Sequence, residues 1–205
     1  MRSGRGSRFA AAGLALLAAC AVLLQAWLSL ALVRGQGGGA GQALWTLAGY
    51  FTILSNVFVA LTAAAQALAP GARLAGPSVR GCATTAIVLV GIGYHLLLRQ
   101  IWDPQGWQRV ADDLLHYAVP AAALLHWLAF PPREPPPATA PLRWLVYPLA
   151  YFGWVLARGA WQGTYPYPFV DVPALGYARV AFNAAGLAIA FLAAGALLRW
   201  TAVRR

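Results

Sequence analysis

Residues 111–120, ADDLLHYAVP, set two carboxylates, Asp112 and Asp113, four and three positions before His116, and a proline, Pro120, four positions after it. On a helix that spacing lets either carboxylate lie on the face of the imidazole and hold one ring tautomer, leaving the other nitrogen to take a proton. Pro120 has no N–H to give the His116 carbonyl, so the helix is expected to bend there, beside a cavity that water enters. An oriented, neutral imidazole is a general base, and Thr52 is the hydroxyl at a matching depth for it to serve. A plainer reading stands beside this one, because a carboxylate near a helix start also favours the positive end of the helix dipole.

The elements that must position these groups are membrane spans. The 205 residues are 60% hydrophobic and 10% charged, too few charges to cover the surface of a water-soluble domain of this length. All fifteen cations are arginines, set against five acids, and the formal charge is +10. They are scattered between apolar runs and form no basic patch, so membrane lipids are the expected partners and nucleic acid is not. Cys20 and Cys82 have neither metal-ligand nor disulfide spacing, and no metal or cofactor is expected. The stretch LAAC at 17–20 has the form of a lipoprotein cleavage box, but the apolar run continues through AVLLQAWLSLALV and reads as a span.

Apolar runs at 9–33, 43–69, 80–98, 110–130, 142–158 and 176–198 each approach or exceed the ~20 residues that cross a hydrocarbon core. They predict an all-α integral membrane protein, one domain of six transmembrane helices over 1–205. The connectors RGQGGGAGQ, PGARLAGP and PPREPPPATAP carry the breakers. With a cytoplasmic N-terminus, Arg2, Arg5, Arg8, Arg73, Arg80, Arg133, Arg143, Arg199, Arg204 and Arg205 fall inside, and Arg34, Arg99, Arg109, Arg158 and Arg179 outside. The excess of inner arginines predicts that both termini face the cytoplasm of a multi-pass protein of the cell membrane.

In that frame, polar side chains far apart in sequence share one layer. Thr52 lies roughly 13 Å below the outer end of the second helix, with Asn56 a turn deeper, and His116 about 9 Å down the fourth. His95 and Asn183 sit at a similar level, so both are candidates, with Asn56, to line a pocket in the outer half of the membrane. Equally, His95 and His126 fit as packing or interfacial histidines, and Asn56 and Asn183 as hydrogen-bonding glue between helices. Asn56 or a loop amide is a candidate donor to an oxyanion on Thr52 chemistry.

Three stretches, GYFTILSNVFVAL (49–61), DDLLHYAVPAAALLHW (112–127) and YFGWVLARGAWQGTYPYPFVDV (151–172), resemble the small bacterial integral-membrane family called Pr-six-Pr. More distantly they resemble the androgen-induced and androgen-dependent membrane proteins of animals. That resemblance implies an intramembrane hydrolase of lipid acyl esters, with Thr52 of YFTIL as nucleophile and His116 of LLHYAVP as base. It also brings in Tyr167 of YPYPF as a substrate-binding residue, and a lipid-like small molecule as substrate. Where the animal proteins carry an asparagine-histidine pair, this chain has Asp112 and Asp113 before the histidine. The competing reading is a non-catalytic lipid- or quinone-binding protein or a small transporter, and the lack of paired half-helices or an internal repeat argues against the transporter.

Overall fold

The computed structural model describes residues 2–204, with side chains from Gly4 onward; Arg205 and the side chain of Arg2, both counted above as inner cations, lie outside it. The described residues form helices and no strands, joined by turns and by the proline-rich connector 130–139. Helix α1 (Arg2–Gly35) is rich in Ala and Leu, strong helix formers, and stops at the glycines before Ala40. Helices α2 (Ala40–Leu47) and α3 (Phe51–Leu68) follow, then α4 (Pro77–Gly93), which opens on a proline at its first turn and continues into a π-helical turn, Tyr94–Leu98.

From Gly106 to Ala129 the chain is helical without interruption, as α5 (Gly106–Asp113), a second π-helical turn (Leu114–Ala118) and α6 (Val119–Ala129). The second π-turn accounts for the bend expected at Pro120. The proline ring crowds the carbonyl four residues back and offers it no N–H, and widening the preceding turn relieves both. Two further helices, α7 (Ala140–Trp144) and α8 (Val146–Gln162), are closed by Gly163 at φ +72°. Helix α9 (Val172–Val203) is capped by Asp171, whose carboxylate accepts from the Ala174 N–H, and kinks at Gly176, at φ +74°.

Four of these helical stretches are long and apolar enough to cross a membrane: Gly4–Gly35, Phe51–Leu68, Pro77–Leu98 and Val172–Val203. The runs at 110–130 and 142–158 are helical as well, but the first is divided by its π-turn and the second falls on α7 and the 17-residue α8. The run at 43–69, expected as one helix, is two. Ala48 and Gly49 leave the helical ladder because side chains of α8 take their carbonyls. Trp154 Nε1 donates to Ala48 O at 3.0 Å and Tyr151 O–H to Gly49 O at 2.9 Å. Arg158 lies so close over Gly49 that a β-carbon there would meet its guanidinium.

The main core joins α1, α3, α4 and the 114–129 stretch through small and branched side chains, among them Ala18, Val59, Ile87 and Val119. Alanine-rich faces let the helices approach closely. Trp144 of α7 packs over Gly81 of α4 and Gly195 of α9, and Trp127 donates to Leu198 O and Thr201 Oγ1, which ties α6 to α9. Large apolar side chains such as Phe9, Leu16, Phe182 and Ile189 remain exposed along α1 and α9, a surface suited to hydrocarbon.

Candidate active site

The break between α2 and α3 fixes the first functional residue. Instead of sitting mid-helix, Thr52 is in the first turn of α3, where backbone N–H groups have no carbonyl four residues back to pair with. Its N–H is directed at the hydroxyl oxygen of Tyr167, at 3.4 Å. Asn56, one turn on, is fully buried and spends both amide protons on carbonyls, Thr52 O at 2.8 Å and Leu115 O at 3.3 Å. It therefore bolts α3 to the second π-turn and has no proton left for an oxyanion. Its Oδ1 is buried without a partner.

His116 sits in the middle of that π-turn and is engaged at both ring nitrogens. Nε2 is 3.3 Å from Thr52 Oγ1. Nδ1 is 3.0 Å from the Asp112 carbonyl oxygen and 3.2 Å from Asp112 Oδ1. Both Nδ1 neighbours are acceptors, which assigns the ring proton to Nδ1 and leaves the Nε2 lone pair facing the threonine hydroxyl. Asp112 is buried, at 4% exposure, and its Oδ2 accepts from Tyr94 O–H at 2.5 Å. Tyr94 also lies flat on the imidazole, with ring centroids 3.9 Å apart and planes 16° from parallel. The sequence offered two carboxylates for His116 and the fold uses one. Asp113 turns the other way, to Arg109 four residues back, in an ion pair of 2.9 Å whose side chains are each 47% exposed.

Beside Thr52 opens an apolar cavity of about 280 Å³, walled by Thr52, Tyr94 and Tyr167 on its polar edge and by side chains such as Leu149, Leu187 and Phe191 elsewhere. Tyr167 stacks on Phe169 at 5.1 Å, and Asn183 donates to Phe169 O at 3.0 Å, so Asn183 holds the wall while neighbouring residues of α9 line the cavity. His95 is exposed, 3.3 Å from Tyr117 O–H, and is not brought to Thr52. Thr52, His116, Asp112 and Tyr167 thus converge; Asn56 and Asn183 brace them, while Asp113 and His95 stand apart. Among the described residues no three His, Cys, Asp or Glu cluster as metal ligands. Cys20 and Cys82 are both free thiols.

Tyr94 was missing from the sequence reading. The signal available for it was its place one residue before His95, at the depth of the other polar groups, and a tyrosine at a membrane interface is too common to stand out. Chemically, the constellation is a hydroxyl, a base at its proton and a carboxylate orienting the base, the pattern of nucleophilic acyl transfer. No protein-family model, curated protein or solved structure matches the chain, so the reading of this site rests on its own geometry.

Proposed function

We propose that the protein is an intramembrane hydrolase of lipid acyl esters, in which Thr52 is the nucleophile and His116 its general base. The observation that carries this reading is the relay from Thr52 Oγ1 through His116 to Asp112, with the nucleophile at the edge of an apolar cavity. The Tyr167 hydroxyl, which accepts from the Thr52 N–H, lies beside Thr52 and is the donor we assign to the oxyanion of the tetrahedral intermediate. The cavity has the apolar walls that an acyl chain needs.

The working topology is six spans with both termini cytoplasmic in the cell membrane, the cavity opening toward the outer leaflet. Support comes from the arginine distribution and from helical segments over all six apolar runs. Single cysteines at Gly39 and Ala138, with Cys20 and Cys82 replaced by alanine, should be labelled from the outer and the inner side respectively. The reverse pattern would overturn the orientation.

Turnover is tested with purified protein in nanodiscs and a panel of p-nitrophenyl and glyceryl esters of increasing chain length. Wild type should release the acid, Thr52→Ala should abolish release while melting like wild type, and a trapped acyl group should map to Thr52 by mass spectrometry. Folded wild type that binds fatty acids or quinones without turning over any ester would replace the hydrolase by the lipid-binding reading.

A further inference from the structure

Tyr94 is 4% exposed and starts the π-helical turn that ends α4. Its hydroxyl donates to Asp112, its ring covers the face of His116, and it meets Tyr117 in a T-shaped contact with centroids 5.6 Å apart. It also borders two cavities of opposite character. One is the apolar cavity beside Thr52. The other, about 450 Å³, lies under the 99–109 loop and is lined by Arg99, Gln100, Asp103 and Arg109, a setting for water. A tyrosine that merely filled the core would not need a carboxylate partner, an imidazole on its face and a polar cavity on one side.

We propose that Tyr94 is a positioning residue for His116, holding the imidazole in plane by stacking and through Asp112. The chemistry rests on the hydrolase reading. In acylation the Thr52 Oγ1–H proton passes to His116 Nε2 as the Oγ1–carbon bond forms, and returns to the leaving alkoxide oxygen as the ester C–O bond breaks. In deacylation water attacks the acyl carbon, gives its proton to Nε2, and that proton goes to Thr52 Oγ1 as the acid leaves. Each half passes through an imidazolium. Asp112 lies against its Nδ1–H and the Tyr94 ring face against its plane, two contacts that favour the cation.

The chain has three histidines, so the ring nitrogens of His116 are separable by ¹⁵N-histidine NMR in nanodiscs, assigned with His95→Gln and His126→Gln. Wild type should show His116 as the Nδ1–H tautomer, and Tyr94→Phe, which keeps the ring and removes the hydroxyl, should show a mixture of tautomers. In turnover, Tyr94→Phe should lower kcat on the order of tenfold, the loss expected for one bond to a charged group, with KM unchanged. In an Asp112→Asn background the same change should cost almost nothing more, because the two act as one unit. An unchanged His116 tautomer in folded Tyr94→Phe, or additive losses in the double variant, would overturn the assignment. A changed tautomer in a protein that hydrolyses no ester keeps Tyr94 as the residue that positions His116 and removes the hydrolase reading instead.

Discussion

His116 and His126 occupy the same local phrase, Leu-Leu-His followed by an aromatic residue, ten positions apart on one helical stretch. Their surroundings have little else in common. Four residues before His116 stands Asp112; four before His126 stands Ala122. His116 has a hydroxyl at one nitrogen, a carboxylate and a carbonyl at the other, and a ring on its face. His126 is as buried as a core residue, tilted against Phe130 at 5.4 Å, with its Nε2 enclosed and unpartnered. His116 is only half-buried where His126 is buried, and it is the chain of donors and acceptors drawn from α3, α4 and the 106–118 stretch that separates the proposed base from a packed histidine.

The sharpest way to break this contrast is to remove each ring in turn. A positioned general base is worth ~10²- to 10⁴-fold, so His116→Ala should lower turnover by about that factor while the melting temperature stays near that of wild type. His126→Leu should leave turnover unchanged, and equal losses in the two variants would erase the distinction. A smaller effect is expected at Gly91, where a β-carbon would lie 2.9 Å from the His116 carbonyl oxygen and 3.2 Å from the Pro120 ring. Gly91→Ala must push α4 away from the second π-turn, at a stability cost of about 1–3 kcal/mol readable by denaturation, with turnover falling as Tyr94 leaves His116. Gly13→Ala, at an exposed position of α1 where a β-carbon would meet nothing within 4 Å, is the control and should do neither. The smallest change separates the twin carboxylates. Asp112→Asn should lose most activity, whereas Asp113→Asn, in its exposed pair with Arg109, should alter turnover by less than about twofold.

Much of the fold was legible because apolar runs and breakers are local signals. Each expected run lies mainly on helix, but the depth reckoned for Thr52 assumes an unbroken 43–69 helix, whereas its approach to His116 is made from the first turn of α3. What could not be read depends on side chains distant in the chain. Nothing around Ala48 announces that Trp154 and Tyr151, more than 100 residues later, will take the carbonyls of its turn. Yet that exchange moves Thr52 from a helix interior to a helix start, with its N–H turned to the Tyr167 hydroxyl. The choice of Asp112 over Asp113 was equally hidden. Spacing alone allows both, and the decision is made by Tyr94 on one side and Arg109 on the other. Asn56 is expected one turn beyond Thr52, but only the carbonyls of Thr52 and Leu115 reveal that its protons are committed.

The two π-turns carry a consequence for heredity. Such a turn holds one residue more than the α-helical path it replaces, so Tyr94–Leu98 and Leu114–Ala118 each stand as a single-residue insertion in an otherwise ordinary helix. Losing one codon inside 114–118 would restore regular winding and leave nearly the whole helix intact. The flanking helices would keep their relative orientation, because the lost residue is the one the wide turn had absorbed, and only the side chains within the turn would be re-spaced. Loss of Leu114 or Leu115 would cut the Asp112–His116 spacing from four positions to three and so break their registration, although neither residue had been altered. The route by which this site is most cleanly gained or lost is therefore a change of reading length, invisible to any scan that only exchanges one side chain for another.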